Sequence, residues 1–202
     1  MLHKYSKPLQ SRAIATENKL LDALDTLLRD RSLGQLTIDA IAEHSHLTRG
    51  AFLKRFGSKK QALFVLWARY CDKCIAVETQ LANSLDRYPT ALEACADISR
   101  EIEILHTEGF SANRAMNEDF LEDLMIDPAT KKIFLAGVDL MHRVRTRFLR
   151  GGPTQDSRDF ASAQVIITLN YNYVLRAAPG LPSDQVMRHR LIARLVVEAM
   201  KQ

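Results

Sequence analysis

The chain has 202 residues, of which 47% are hydrophobic and 26% are charged. This length holds one substantial core, or a module of roughly 50 to 60 residues joined to a larger one, and this composition excludes a disordered or fibrous chain. The formal net charge is +4 and there are three cysteines, an odd and small number that excludes a disulfide-stapled secreted miniprotein.

The positive charge is concentrated in the N-terminal segment. Residues 1–60 contain 11 Lys and Arg against 6 Asp and Glu, whereas the rest of the chain contains 17 against 18. A basic segment beside a near-neutral one indicates a polyanion partner for the first part only, because neutralised phosphates release counterions. A merely solvated charged face would look similar, so the charge alone leaves both interpretations open.

No stretch of the sequence predicts an export or membrane segment. The first 13 residues contain no apolar run of the signal-peptide type, and no later stretch approaches the roughly 20 uncharged apolar residues that span a bilayer. We therefore expect a cytoplasmic protein without a membrane partner.

Apolar residues recur at helical spacing along the chain, and no alternating strand pattern interrupts them. Residues of the types that begin or end helices divide the chain into about nine segments, the first of which spans about residues 13–31. The sequence therefore predicts an all-α protein of about nine helices.

The segment between Thr37 and Phe56 predicts two short helices joined by a tight turn. Thr37 and Thr48 are each placed to cap a helix by accepting a hydrogen bond from an otherwise unpaired backbone N–H. Together with the helix before them, these two helices form the pattern of a three-helix helix-turn-helix domain.

The second of these short helices buries Phe52 and Phe56, which lie four residues apart on one face. That burial turns a small, basic surface largely outward, made of Arg49, Gly50, Ala51, Leu53, Lys54 and Arg55. Such a surface suits the major groove, which is wide enough to admit a helix. The alternative is a connecting helical hairpin with a solvated basic face.

The pattern of this region resembles the DNA-binding domain of the TetR family of transcriptional regulators over about residues 12–65. It is carried by Thr37-Ile38, Ile41-Ala42, Leu47-Thr48-Arg49-Gly50, Phe52, Phe56-Gly57-Ser58-Lys59-Lys60 and Ala62-Leu63. The resemblance implies a helix-turn-helix DNA-binding domain over residues 1–57 and a helical ligand-sensing and dimerisation domain over residues 58–202.

The resemblance also implies roles for individual residues. Thr37 and Thr48 would contact phosphates, Arg49 would approach base edges with Gly50 and Ala51, and Lys59 would anchor the DNA backbone. Helix N-termini do favour phosphate, and an arginine paired with guanine discriminates between bases by roughly 1 to 3 kcal/mol.

Three positions depart from the usual family pattern. Leu53 stands where Tyr is typical, Arg55 where His is frequent, and His46 where Gly is common in the turn. Leu53 cannot donate the hydroxyl hydrogen bond that Tyr gives to a phosphate, but it could touch a thymine methyl group. We expect Arg55 to supply a replacement phosphate contact.

The last two long helical patterns, at about 158–177 and 183–201, would form a four-helix homodimer interface by resemblance. Their apolar faces consist of Phe160, Ala163, Val165, Ile167, Val174, Leu191, Leu195 and Val196. A dimer places two recognition helices on half-sites about 34 to 36 Å apart. We therefore expect a repressor that binds a near-palindromic operator in double-stranded DNA.

The middle and later helices contain aromatic, Met and polar side chains of the kinds that line small-molecule pockets. The predicted lining consists of Phe110, Met116, Phe120, Phe134, Met141, His142, Asn170 and Tyr171. A small-molecule effector of unknown identity would bind there and release the operator. The alternative for each of these residues is that it simply belongs to the core.

Other chemistry finds little support in the sequence. Cys71 and Cys74 lie at i and i+3, but no second Cys or His pair completes a zinc site, so we expect inert thiols and no metal or cofactor. No phosphate loop or nucleophile motif is present, which predicts that the protein is not an enzyme. Two alternatives remain: an enzyme with an apolar pocket, and a helical protein that holds another protein through its N-terminal hairpin.

Overall fold

The computed structural model describes residues 10–176 and 180–201, which form ten α-helices and one 3-10 turn at Leu85–Arg87. In chain order, α1 to α10 span Ser11–Leu28, Ile38–His44, Arg49–Phe56, Lys59–Asn83, Ala91–Glu108, Phe110–Asp119, Leu121–Ile126, Pro128–Phe148, Ser157–Arg176 and Gln185–Lys201. The all-α prediction is confirmed.

The difference between ten helices and the predicted nine arises in residues 110–126. The break signals Gly109 and Asp127-Pro128 predict one helix between them, but Phe120 interrupts it, so that α6 ends at Asp119 and α7 begins at Leu121. The ring of Phe120 packs edge-on against Phe64, with the ring centroids 5.8 Å apart. No Gly or Pro marks this break, which is why sequence rules for helix ends did not detect it.

Contacts group the described residues into two compact units. The first consists of Met1–Tyr70 and Ser111–Met125, and the second of Cys71–Phe110 and Ile126–Gln202, in each case as far as they are described. The division predicted after residue 57 separates a DNA-binding region from an effector-binding region. This grouping by contacts does not test that division, which stays a prediction.

The core of the first unit fixes the helix-turn-helix. Helix α1 packs on α2 and α2 packs on α3, and the rings of Phe52 and Phe56 lie 5.3 Å apart. Leu20, Leu24 and Ile41 are fully buried with them. Burial of a large apolar side chain stabilises the fold by about 1.5 to 3 kcal/mol, so this small core holds the two short helices that could not persist alone.

Residues 111–125 join the first unit through polar contacts to α1. The Ser111 hydroxyl donates to Asp25 Oδ1 at 2.5 Å. Arg114 donates to the backbone carbonyls of Leu28 and Arg31, which lie at and beyond the C-terminal end of α1. A cation at this end satisfies carbonyls that have no partner within the helix and complements its dipole.

The core of the second unit lies between α5, α9 and α10, with α8 packed on α9. Its apolar cluster includes Ile98, Ile102, Val138, Met141, Val144, Ala163, Ile166, Ile192 and Val196. These side chains lie on the faces of α5, α8, α9 and α10 that pack against one another.

A buried ion pair fixes the connection between α8 and α9. The Arg145 guanidinium donates to both carboxylate oxygens of Asp159 at 2.7 and 2.9 Å, and the two side chains are 1% and 0% exposed. Burial alone would raise the pKa of Asp159, but hydrogen bonds from Arg145 and its other donors lower it. A Cβ at Gly151 would lie 2.8 Å from Arg145 Nη1, so a side chain at this loop position would displace the buried guanidinium.

The described residues contain no helix with the length and apolar character that a bilayer span requires. They also contain no group of three or more His, Cys, Asp or Glu that is placed to hold a metal ion. The thiols of Cys71, Cys74 and Cys95 are buried, and burial raises the pKa of Cys95 to about 12. A thiol held in the protonated form is a poor nucleophile.

Candidate nucleic-acid interface

The two predicted N-caps have the expected geometry. Thr37 Oγ1 accepts a hydrogen bond from the backbone N–H of Ala40 at 3.1 Å, and Thr48 Oγ1 accepts one from Ala51 at 3.1 Å. Each threonine has extended backbone dihedrals before its helix. The prediction that both residues are caps is confirmed, and the N-termini of α2 and α3 begin at defined points.

The turn between α2 and α3 and the end of α3 both use left-handed backbone. His46 has a φ of 56° and Gly57 has a φ of 73°. Gly57 adopts this conformation without a steric penalty, whereas His46 carries a Cβ that crowds the following carbonyl. This explains why glycine is common at the turn position where this chain has histidine.

Helix α3 presents a small exposed surface beside its buried phenylalanines. Arg49, Gly50, Leu53 and Lys54 are exposed, whereas Ala51 is half-buried. The exposed residues combine two cations with a small residue and an apolar one. This surface can carry both phosphate contacts and contacts to base edges.

Arg49 lies at the N-terminus of α3 and pairs with Asp39 in α2. Its Nη1 is 2.7 Å from Asp39 Oδ2, and the two side chains are 56% and 66% exposed. An ion pair this exposed contributes only about 0 to 1 kcal/mol. Asp39 therefore orients the guanidinium without holding it strongly.

Arg55 does not lie on the outward surface, and this part of the prediction is wrong. Its Nε donates to Glu17 Oε2 at 2.5 Å, and the two side chains are only 17% and 11% exposed. The pair joins α3 to α1 next to the buried core. The guanidinium is therefore used to hold α3 in place.

Lys59 at the start of α4 is half-buried and turned toward the segment between α1 and α2. Its Nζ donates to the backbone carbonyls of Leu33 at 2.8 Å and Leu36 at 2.5 Å. The neighbouring Lys60 is different, since it is exposed and its Nζ lies 2.8 Å from Asp123 Oδ2. Two adjacent lysines thus have separate partners, which sequence spacing did not reveal.

Asp39 and Glu17 are the residues of this region that the sequence analysis missed. Asp39 precedes its partner Arg49 by ten residues, and Glu17 precedes Arg55 by 38. Neither separation corresponds to a neighbour on one helix face. Only the packing of α1 and α2 against α3 brings these carboxylates to their arginines.

Comparison with known protein families agrees with this geometry. Residues 20–65 match the model of the bacterial regulatory proteins of the tetR family. This N-terminal part of the chain is similar to the DNA-binding part of those regulators. The matched residues contain the second half of α1, all of α2 and α3 and the start of α4. The matched family consists of transcription regulators rather than enzymes.

Solved structures of TetR-family proteins share the fold over nearly the whole chain. A TetR-family transcriptional regulator from Mesorhizobium loti gives a TM-score of 0.70 at 11% identity, covering 95% of this chain and 97% of its own. The regulator FadR from Bacillus subtilis in complex with stearoyl-CoA gives 0.64 at 16%, covering 90% and 98%.

FadR from Thermus thermophilus in complex with lauroyl-CoA gives a TM-score of 0.56 at 18% identity, covering 91% of this chain and 94% of its own. Identities this low establish a shared fold and not a shared ligand. A comparison with curated proteins gave no significant match.

The eight side chains that were predicted to line one effector pocket belong partly to the first compact unit and partly to the second. Met116 and Phe120 belong to the first unit, whereas the other six belong to the second. Met141 is fully buried within the apolar cluster of the second unit. That these eight residues line one effector pocket stays a prediction.

Two of the predicted polar contacts are already engaged within the second unit. The Asn170 amide donates to Ser99 Oγ at 3.1 Å and to the Ile166 carbonyl at 2.8 Å. His142 Nδ1 lies 3.1 Å from Asp159 Oδ2, beside the buried pair with Arg145. Both side chains thus have structural partners.

The remaining predicted lining residues are half-buried. Phe110 and Phe134 lie at helix surfaces, and the ring of Phe134 is 6.1 Å from that of Phe160. The ring of Tyr171 meets that of His106 edge-on at 5.8 Å. His142 also lines a cleft of about 410 Å³ between the end of α4 and α8.

Two buried titratable groups of the second unit were not predicted. Burial raises the pKa of Glu78 in α4 to about 8 and lowers the pKa of His106 in α5 to about 4. Burial thus favours the neutral form of both side chains. In the sequence they occur as ordinary helix residues, and only the packing of neighbouring helices removes them from water.

Proposed function

We propose that the protein is a transcriptional repressor of the bacterial cytoplasm that binds a near-palindromic operator as a homodimer and is released by a small molecule. The observation that carries this proposal is the capped, rigidly packed α2–α3 pair with Arg49, Leu53 and Lys54 exposed on α3. The match of residues 20–65 to the tetR-family model supports DNA binding as the use of this surface.

The proposed contacts with DNA follow the exposure of each residue. Thr37, Thr48 and the adjacent helix N-termini contact phosphates, which helix dipoles attract. Arg49 reads a base edge, with Gly50 and Ala51 allowing close approach of α3, and Leu53 and Lys54 complete the surface. Arg55 acts indirectly, by holding α3 to α1 through Glu17.

Exposed apolar side chains on α9 and α10 support the dimer. Phe160 and Leu195 are 41% and 46% exposed, although Ala163 and Val196 of the same predicted faces are buried in the core of their own chain. A second copy would cover these side chains and place two α3 helices on one operator.

The effector is proposed to bind in the second unit, whose core is built from the helices that follow the DNA-binding region. The FadR structures from Bacillus subtilis and Thermus thermophilus hold stearoyl-CoA and lauroyl-CoA. These similarities of fold make acyl-CoA thioesters the first effectors to test. A ligand shifts the DNA-binding equilibrium only by its differential affinity for the two states, and α4 is proposed to carry the shift.

Selection of bound sequences from a random pool of duplex DNA, followed by the stoichiometry of the selected complex, tests the proposal. We expect an enriched near-palindrome bound by two protomers, with affinity that falls steeply as salt concentration rises. The absence of enrichment at low salt would contradict DNA reading. Retention of a protein partner at high salt would favour the helical interaction protein instead.

A further inference from the structure

We infer that Lys59 is a positioning residue for operator binding, which places the N-cap of α2 rather than contacting the DNA backbone itself. This inference rests on the proposed DNA-binding function. It concerns the ammonium group at the start of α4 and the two carbonyls to which it donates, all of which lie in the first unit.

The two hydrogen bonds from Lys59 to the Leu33 and Leu36 carbonyls are called the clamp. The clamp acts on the peptide unit that immediately precedes Thr37. Lys59 Nζ donates to the Leu36 carbonyl at 2.5 Å, and that carbonyl shares its peptide plane with the Thr37 N–H. A planar peptide has no free rotation of its own. Fixing the Leu36 oxygen therefore restricts where the Thr37 backbone and hydroxyl lie.

A second hydrogen bond makes the clamp bidentate. The same ammonium donates to the Leu33 carbonyl at 2.8 Å, and the side chains of Leu33 and Leu36 are buried. The segment between α1 and α2 is thus held by its apolar side chains and by its carbonyls. Two of the three ammonium N–H donors are committed to this segment.

A phosphate could accept only the third N–H of the ammonium unless Lys59 gave up one of its two carbonyls. An ammonium hydrogen-bonded to carbonyls is strongly placed, because charge-assisted hydrogen bonds are about twice as strong as neutral ones. Leaving these carbonyls for a phosphate would release the segment that orients Thr37. The geometry thus assigns Lys59 to placing Thr37, whose hydroxyl caps α2 through Ala40.

The salt dependence of operator binding separates positioning from phosphate contact. The variants are Lys59→Met, which removes the donor and the charge, and Lys60→Met, a matched control that removes an adjacent charge paired with Asp123. We expect Lys59→Met to lower operator affinity about tenfold through a misplaced N-cap, with an unchanged slope of log K against log salt. A slope that falls by about 0.9 per protomer in Lys59→Met alone would overturn the inference.

Coupling to Thr37 provides a second readout. Thr37→Val should add little to the loss caused by Lys59→Met, because both changes disable the same contact, whereas Thr48→Val should add its full effect. Additivity with both threonines would overturn the inference.

Amide hydrogen exchange of the DNA-free protein tests the clamp even if a variant binds poorly. The Ala40 amide, which donates to Thr37 Oγ1, should exchange faster in Lys59→Met, whereas the Ala51 amide, which donates to Thr48, should not. Lys59→Gln, which keeps amide donors but no charge, serves if Lys59→Met does not fold. Unchanged Ala40 exchange would overturn the inference, whereas a wild-type chain that selects no DNA would overturn the proposed function.

Discussion

Arg49 combines an exposed position with a weak intramolecular partner, which is what a base-reading residue needs. Its contact with Asp39 is solvent-exposed on both sides, so the guanidinium leaves it at small cost when a guanine edge is offered. Asp39 meanwhile keeps the side chain directed across the gap between α2 and α3. The carboxylate thus narrows the orientations of Arg49 without competing strongly with DNA.

Replacing Arg49 should therefore reduce specificity more than general affinity. We expect Arg49→Ala to weaken binding to the selected operator by about 1 to 3 kcal/mol relative to a scrambled duplex. Arg49→Lys, which keeps the charge but loses the planar fork, should lose most of the same discrimination. Fluorescence anisotropy titrations on both duplexes measure the effect. Equal operator affinity for wild type and Arg49→Ala would show that Arg49 does not read a base.

His46 carries a Cβ at a turn position whose backbone adopts the left-handed conformation. We expect His46→Gly to raise the free energy of unfolding by about 1 kcal/mol, because glycine removes the Cβ contact of that conformation. The matched control is His44→Gly at the end of α2, which should lower stability by about 1 kcal/mol. Urea unfolding of both variants measures these changes in the free energy of unfolding. A loss of stability in both variants would show that the left-handed backbone at His46 is not strained.

At the scale of the helices, α4 carries a carboxyl group whose burial makes stability depend on pH. The pKa of Glu78 is about 8 against an ordinary value of 4.5, so the folded chain keeps a proton that the unfolded chain loses. The free energy of unfolding therefore falls as pH rises between these values, by at most about 1.4 kcal/mol per pH unit. His106, with a pKa of about 4 against 6.5, acts in the opposite sense below pH 6.5.

Replacing Glu78 by glutamine should remove this decline. Relative to wild type, we expect Glu78→Gln to become progressively more stable as pH rises from 6.5 to 8, the interval in which His106 no longer contributes. Urea unfolding at fixed protein concentration measures the difference, with the exposed Glu122→Gln as control. Parallel pH profiles for Glu78→Gln and wild type would show that the buried carboxyl does not govern this interval.

The helices were predictable from the sequence where short-range signals define them. The cap residues Thr37 and Thr48 and the apolar spacing of α1, α9 and α10 give element positions within a few residues, because these signals act over one or two turns. The break at Phe120 and the inward direction of Arg55 depend on contacts with distant helices. No local pattern encodes those contacts, and so they were missed.

Within the candidate sites, too, some residues were predictable from local sequence signals and others were not. The exposed residues of α3 follow from helical periodicity once Phe52 and Phe56 are buried. The effector lining was predicted from residue types alone, and type does not distinguish a pocket residue from a core residue such as Met141 or a satisfied amide such as Asn170. Pocket position depends on how several helices pack, which single-helix patterns do not contain.

At the scale of the whole molecule, the chain passes between its two compact units more than once. Helix α4 contains residues of both, and the chain returns to the first unit at Ser111 and leaves it after Met125. A change in the second unit thus has several covalent routes to the DNA-binding helices. Two of these routes end at direct contacts with the segment before α2: the start of α4 through Lys59, and residues 111–125 through Arg114.

The proposed dimer gives the last prediction at this scale. Charge placed at Phe160 and Leu195, both exposed on α9 and α10, should disfavour association because a carboxylate would be buried without a partner. We expect Phe160→Glu with Leu195→Glu to give monomers that lose about a hundredfold or more in operator affinity, since the second half-site then no longer binds intramolecularly.

Sedimentation velocity and titration against full and single half-sites measure both effects of this double variant. Leu92→Glu is the matched control, since Leu92 is an exposed leucine on α5 rather than on α9 or α10. The control should remain a dimer with unchanged affinity. Monomers that bind the full operator as tightly as wild type would show that operator binding does not depend on dimerisation, and a double variant that stays dimeric would locate the interface on other helices.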